Sequence, residues 1–153
     1  MKAVLISIQP KWCELIASGK KTVEVRKTKP KLETPFKCYI YCTKGKPIFE
    51  QSAFCDDISN GKVVGEFICN SIISHCEMAN ADIAEYQGCI KRERLFEYAN
   101  GKELYGWHIT DLVIYDKPKE LSEFMGLRKT KFGYEPIKIT KPPQSWCYVE
   151  GGE

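Results

Sequence analysis

The sequence contains no hydrophobic run long enough to cross a membrane and no segment typical of an export signal. The apolar stretch after Met1 ends at Ile8, which makes it shorter than the core of a signal peptide. The 153 residues also lack an internal repeat and a linker. We therefore expect a single cytoplasmic domain over residues 1–150 with a tail at 151–153, and no membrane partner.

The eight cysteines include no CxxC pair. The nearest approaches to metal-ligand spacing are Cys38 with Cys42 and the adjacent His75–Cys76. Residues 38–42 alternate as a strand would, which places Cys38, Ile40 and Cys42 on one face. We interpret these thiols as reduced, small hydrophobic side chains, and we expect no metal and no cofactor.

The net charge of +3 is distributed unevenly along the chain. Lys20–Lys31 holds six basic residues against Glu24 alone, and Lys117–Lys141 holds seven against three acids. Glu50–Glu103 reverses the balance, with ten acids and five bases. If the two basic segments meet, they form a positive face that attracts phosphates; the alternative is an ordinary solvated lysine surface.

Apolar patterning predicts strands interrupted by short helices. Alternation and β-branched content predict strands at residues 3–8, 22–26, 36–43, 62–69, 105–115 and 145–149. Helical spacing predicts a first helix at residues 11–18, one or two short helices within 78–101, and one or two helical turns after residue 116. Residues 126–143 show no clear period. This order favours an α+β fold: a small barrel of five or six strands with the first helix packed on it.

The segment Thr22-Val23-Glu24-Val25-Arg26 alternates polar and apolar residues. Its valines are predicted to point inward, while Glu24 and Arg26 project together from the other face. A carboxylate beside a guanidinium can read the edge of a base, or Arg26 can hold a phosphate. The alternative is a surface ion pair. Lys21 could bind phosphate, neutralise Glu24, or act as a nucleophile or base if burial lowers its pKa.

Four further residues complete the candidate site. Lys20 and Thr22 flank Lys21 and belong to the same basic stretch. Tyr41 shares a strand face with Tyr39 and would edge a cleft or cover the barrel. His108 would serve as an acid or base in a cleft, or as a buried structural histidine.

The order of five short motifs resembles the ASCH domain, named for its homology to an activating signal cointegrator. The motifs are residues 8–12 (IQPKW), 19–26 (GKKTVEVR), 61–66 (GKVVGE), 106–112 (GWHITDL) and 142–146 (PPQSW). The resemblance spans nearly the whole chain. It implies a PUA-like β-barrel with a cleft beside the first helix, and a role in recognising RNA or a modified nucleobase.

The resemblance also implies an enzymatic alternative, because some compact bacterial members hydrolyse acylated cytidine nucleosides. Their catalytic groups are a lysine and a threonine in the glycine-lysine-threonine segment and a later glutamate. Lys21 matches the lysine, Glu24 stands at the threonine position, and Glu85, Glu93 and Glu97 are candidates for the later glutamate.

The leading hypothesis is a domain that binds RNA, another single-stranded nucleic acid or a modified nucleoside in a basic-rimmed polar cleft. The binding residues would be Lys20, Lys21, Thr22, Glu24, Arg26, Tyr41 and His108. The alternative is a metal-independent amidohydrolase of N4-acylated cytidine nucleosides with Lys21 and Glu24 as catalytic residues. A third hypothesis is a protein-interaction module.

Overall fold

The computed structural model describes residues 1–45, 60–74 and 85–152. Within these ranges the strands are β1 (Lys2–Ile8), β2 (Val23–Arg26), β3 (Phe36–Cys42), β4 (Lys62–Ser74), β5 (Tyr105–Lys119), β6 (Met125–Thr130), β7 (Gly133–Lys138) and β8 (Trp146–Glu150). The helices are α1 (Pro10–Ala17) and α2 (Arg92–Ala99), with a helical turn at residues 85–88 and a 3₁₀ turn at Leu121–Glu123. Each of the six predicted strands is present.

The strands form one mixed sheet in the order β2-β5-β4-β3-β1-β8-β6-β7. β1 pairs in parallel with β3 and antiparallel with β8. The expected α+β class is confirmed, but the expected barrel of five or six strands is wrong: the eight-stranded sheet is not closed and ends at β2 and β7. Of the two additional strands, β7 is mostly solvent-exposed and the one buried residue of β6 is Gly126, so neither strand shows apolar alternation.

One compact unit consists of Met1–Glu14, Lys37–Phe67 and Leu112–Glu153. Its core contains seven buried residues: Ala3, Leu5, Tyr39, Tyr41, Val63, Phe124 and Val149. At its C-terminal end, the Gly151 amide donates to the Met1 carbonyl at 2.6 Å and the Gly152 amide donates to the Tyr39 hydroxyl at 3.0 Å. These bonds fix the first two residues of the segment predicted as a tail.

A second compact unit consists of Leu15–Phe36 and Ile68–Asp111. Its core contains Val23 and Val25 of β2, Leu95 of α2, and Leu104. α2 is followed by Asn100, whose φ of 48° is the left-handed conformation that commonly terminates helices. The start of the predicted helical region, residues 78–84, lies outside the described residues.

The cysteines of the described ranges are free thiols, and the predicted burial of Cys38 and Cys42 is confirmed. The His75–Cys76 pair lies outside the described residues. Among the described helices, none has the length and apolar character needed to cross a membrane.

Candidate nucleotide site on strand β2

The site segment begins where α1 ends. Gly19 has a φ of 83°, a conformation that glycine adopts without the steric cost of a Cβ atom, and it turns the chain out of the helix. The Lys21 amide then donates to the Leu15 carbonyl at 3.0 Å. The Thr22 amide donates to the Gln87 carbonyl at 2.8 Å. These bonds position the chain immediately before β2.

The register between β2 and β5 determines which side chains share a face. Glu24 pairs with Trp107 and Arg26 pairs with Tyr105. Directly paired residues of antiparallel strands point to the same side, so these four side chains lie on one face of the sheet. Val23 is on the opposite face, as its place in the core requires. The predicted separation of Glu24 and Arg26 from the valines is confirmed.

Glu24 and Arg26 form a largely buried ion pair. The Arg26 Nε and Glu24 Oε1 atoms are 3.5 Å apart, and the two side chains are 12% and 6% exposed. The alternative interpretation, a solvated surface ion pair, is therefore wrong. The other carboxylate oxygen, Glu24 Oε2, is buried without a hydrogen-bond partner among the described residues. A buried carboxylate oxygen without a donor is energetically costly.

Lys21 is almost completely buried, with 1% of its surface exposed. Its ammonium group donates to the Gly88 carbonyl at 2.5 Å. Burial lowers the pKa of Lys21 from its ordinary value, because removal from water disfavours the charged form. The Glu24 charge opposes this effect on the pKa and the Arg26 charge adds to it, so the three groups are electrostatically coupled.

Gly88 allows the turn at residues 85–88 to approach β2 closely. A Cβ atom on Gly88 would lie 3.3 Å from Val25 Cγ2, 3.5 Å from the Val23 oxygen and 3.8 Å from Lys21 Nζ. A larger residue would therefore push against both the strand and the lysine. The neighbouring Cys89 thiol donates to the Lys20 carbonyl at 3.3 Å.

Two lysines next to this pair lie over aromatic rings. Lys27 Nζ is 4.6 Å from the centre of the Tyr98 ring, and Lys29 Nζ is 5.3 Å from that of Tyr105. Burial raises the pKa of Tyr98, which also interacts electrostatically with Arg26. The sequence identified the lysines only as part of a basic segment. It gave no signal for Tyr98, because the contact joins residues distant in the chain.

The remaining predicted residues are divided between the two units. Lys20 and Thr22 are exposed beside Lys21. Tyr41 is only 4% exposed and belongs to the core of the first unit, which is a packing role rather than the edge of a cleft. His108 pairs with Val23 and so points to the face opposite Glu24. The structure does not bring His108 together with the Glu24–Arg26 pair.

His108 is nevertheless an unusual histidine. Its Nε2 atom is buried without a hydrogen-bond partner in the described part of the chain. Burial lowers the pKa of His108 below the usual value. The neutral form of the ring is therefore favoured, which fits the alternative that His108 is a buried structural histidine.

The candidates for a later catalytic glutamate lie in the turn at residues 85–88 and on α2. Glu85 accepts from Arg92 Nε at 3.2 Å. Glu93 and Glu97 are exposed on α2, and Glu93 lies in its first turn, where a negative charge favours the helix dipole. Glu85 thus has an ion-pair partner and Glu93 a place in the first turn of the helix, while Glu97 is exposed. Across residues 1–45, 60–74 and 85–152, no three His, Cys, Asp or Glu side chains are grouped as a metal site requires.

The first unit contains a cavity of about 390 Å³. Its wall includes Lys37 and Glu66, whose Nζ and Oε2 atoms are 2.9 Å apart. Tyr115 donates to the other Glu66 oxygen at 2.8 Å. Burial alone would raise the pKa of Glu66, but the hydrogen bonds from Lys37 and Tyr115 lower it on balance. Both oxygens of this carboxylate therefore have partners, whereas Glu24 Oε2 has none among the described residues.

Comparison with known families identifies the family of this chain. The sequence profile of the ASCH domain matches residues 6–143. The chain belongs to the ASCH family. No curated protein matches the sequence.

Solved ASCH structures share the fold. The crystal structure of ASCH from Zymomonas mobilis is 19% identical with a TM-score of 0.61, over 97% of this chain and 87% of that one. A tyrosine-to-phenylalanine mutant of the same protein is 20% identical with a TM-score of 0.59, over 98% and 91%. At this level of identity the comparison establishes the ASCH fold alone.

The β2 site of this ASCH domain combines three kinds of group. Glu24 offers an acceptor, Arg26 offers a forked donor, and Lys21 offers an amine whose charge is destabilised by burial. Such a set can bind a molecule that carries N–H donors and a negative charge, and it can polarise a carbonyl group.

Proposed function

We propose that this ASCH domain binds single-stranded nucleic acid and reads a base that carries an amino group. The observation that carries the proposal is the buried Glu24 carboxylate, whose Oε2 atom has no donor among the described residues. A carboxylate in this position is expected to accept hydrogen bonds from a ligand, since an unmet buried acceptor costs about 1–3 kcal/mol.

The chemistry of Glu24 selects among bases. Cytosine, adenine and guanine each present an exocyclic amino group to a carboxylate. Uracil presents its only ring N–H between two carbonyl oxygens, which repel the carboxylate. Oε2 is buried, so an entering base must displace part of its cover. Arg26 is more exposed than Glu24 and lies 3.5 Å from it, so we expect Arg26 to move and take a phosphate.

The surroundings of β2 suit a nucleic-acid strand better than a free base. Lys27 and Lys29 follow the strand directly and supply charge for neighbouring phosphates. Their aromatic partners, Tyr98 and Tyr105, supply rings on which further bases can stack. Basic and aromatic side chains in alternation are typical of surfaces that bind single strands.

The test compares fluorescence anisotropy for labelled ten-nucleotide strands of cytosine and of uracil, as RNA and as DNA. We expect tighter binding of the cytosine strands. Glu24→Gln should weaken that binding by about tenfold or more and remove the preference, because a hydrogen bond to a charged group contributes about 1.5–3 kcal/mol. Glu33→Gln, on an exposed residue, is the matched control and should bind like wild type. The proposal would be refuted if wild type bound cytosine and uracil strands equally well and Glu24→Gln bound both with the same affinity as wild type.

A second function is favoured by one specific observation, the burial and lowered pKa of Lys21 beside Glu24. We propose as the alternative that the site hydrolyses an N4-acylated cytidine nucleoside. Glu24 would take a proton from water as the oxygen attacks the acyl carbon, and Lys21 would stabilise the oxyanion. Glu24 would then return the proton to the leaving nitrogen as the C–N bond breaks, which releases a carboxylic acid and the free amine of cytidine.

The hydrolase alternative is tested with N4-acetylcytidine and longer acyl derivatives, with the released cytidine measured by chromatography. Turnover should be lost in Lys21→Met and retained in Lys20→Met, since Lys20 is exposed next to it. Absence of turnover by the wild-type protein across the substrate panel would rule the alternative out.

A further inference from the structure

A second surface rich in cations and aromatic rings lies on the β6–β7 hairpin of the first unit. Phe132, at its turn, is 90% exposed, and Tyr134 is 39% exposed. Lys131 Nζ lies 5.3 Å from the centre of the Phe132 ring. A single exposed apolar residue needs no explanation, but here exposed rings and lysines occur together on one hairpin.

The hairpin register gives this surface a defined face. Lys129 pairs directly with Tyr134, so the two side chains point to the same side. Tyr134 makes an edge-to-face contact with Tyr148 of β8, with ring centres 5.9 Å apart, and Tyr148 makes a similar contact with Trp146 at 5.3 Å. Lys2 Nζ lies 3.4 Å from the centre of the Tyr134 ring. The face is thus a row of rings with cations beside it.

Two lysines of the hairpin have no carboxylate partner among the described residues. Arg128 is paired with Glu135, the one carboxylate of the hairpin. Neither Lys129 nor Lys131 forms an ion pair with a carboxylate in the described part of the chain. We refer to Lys129, Lys131, Phe132 and Tyr134 as the hairpin surface. Its charge is positive, which favours a polyanion.

The hairpin is poorly suited to receive an additional strand. β7 is the last strand of the sheet formed by the described residues, and a strand from a partner would have to pair with its outer edge. Pro136 lies in the middle of β7 and has no N–H to donate. Positive charge next to this edge would also repel a second copy of the same hairpin. These features favour a ligand that uses the side chains rather than the backbone.

We propose that the hairpin surface binds single-stranded nucleic acid, with one base stacked on Phe132 and phosphates held by Lys129 and Lys131. The inference rests on the proposed function and specifies the class of ligand that the protein binds. The ligand is an oligonucleotide several residues long, rather than a free nucleoside.

The test measures affinity for a twenty-nucleotide cytosine strand as RNA and DNA, and for cytidine monophosphate. Phe132→Leu keeps an apolar side chain but removes the ring, and we expect about fivefold or greater loss of affinity for the strand. Phe132→Tyr keeps the ring and should bind within twofold of wild type. Val113→Ala, at another exposed apolar residue of the first unit, is the control. Binding of cytidine monophosphate should be unchanged in all three.

The lysines provide an independent readout. Lys129→Ala and Lys131→Ala should each reduce the slope of log affinity against log salt by about 0.7, the value for one phosphate of a single strand. Phe132→Leu should leave that slope unchanged.

The outcomes separate the inference from the proposed function. If Phe132→Leu binds the strand like wild type, or if Phe132→Tyr is as weak as Phe132→Leu, the hairpin inference is wrong even where Glu24→Gln still abolishes the base preference. If Glu24→Gln leaves the affinity and the base preference unchanged while Phe132→Leu binds the strand weakly, the function proposed for β2 fails and the hairpin contact stands. A wild-type dimer that Phe132→Leu dissociates, with strand binding unchanged, would assign the surface to a second copy of the chain and overturn the inference.

Discussion

Replacing Glu24 by glutamine tests whether the β2 ion pair is as buried as the structure indicates. The substitution keeps the shape of the side chain and removes its charge. At the 3.5 Å separation from Arg26, two unit charges attract by about 5 kcal/mol for an effective dielectric constant of about 20. Part of this attraction is offset, because the uncharged glutamine is easier to remove from water.

The net loss of stability is expected to be about 3 kcal/mol, because removal of one partner leaves buried cations uncompensated. For a chain of this size the melting temperature should fall by roughly 6–12 °C. Urea unfolding at pH 7 measures the free energy directly. Glu33→Gln should change it by less than about 0.5 kcal/mol, as expected for an exposed position.

A double-mutant cycle identifies the cause. If the loss comes from the ion pair, Arg26→Met and Glu24→Gln together should cost clearly less than the sum of the two single changes, by about 1 kcal/mol or more. A Glu24→Gln variant as stable as Glu33→Gln would refute the reasoning, since a solvated pair of this kind contributes almost nothing.

Two further changes address the groups around the pair. Burial lowers the pKa of Lys21, so the unfolded chain, with a lysine pKa near 10.4, binds the proton more tightly. Stability should therefore rise with pH between the lowered pKa and about 10.4, and urea unfolding of Lys21→Met should lack that rise. Gly88→Val should destabilise the protein by about 1–3 kcal/mol, because the new side chain meets Val25 and Lys21. Thermal melting measures it; an unchanged melting temperature would contradict the close approach.

The sequence predicted the part of the fold that local pattern determines. A strand with one buried face alternates, so β2 was located and Glu24 and Arg26 were placed correctly opposite the valines. The hairpin of β6 and β7 was missed because β7 is mostly exposed and the one buried residue of β6 is Gly126, so neither strand shows apolar alternation.

Burial of the site could not be predicted in the same way. Whether Glu24 is solvated depends on residues far away in the chain, such as Trp107 across the strand pair. The same limit applies to Tyr41 and His108. Strand periodicity places their side chains on a face, but it does not tell which face other elements cover.

The position of β2 at the end of the sheet has a consequence for its dynamics. Within residues 1–45, 60–74 and 85–152, its four residues pair with β5 alone, and no second strand flanks it. Short edge elements open more readily than central strands, without unfolding of the rest of the protein. Local opening of β2 would expose Glu24 Oε2 to an entering base, and the strand would return to its place once the base is bound. Hydrogen exchange of the β2 amides would then be faster than that of β1 in the free protein and would slow when ligand binds.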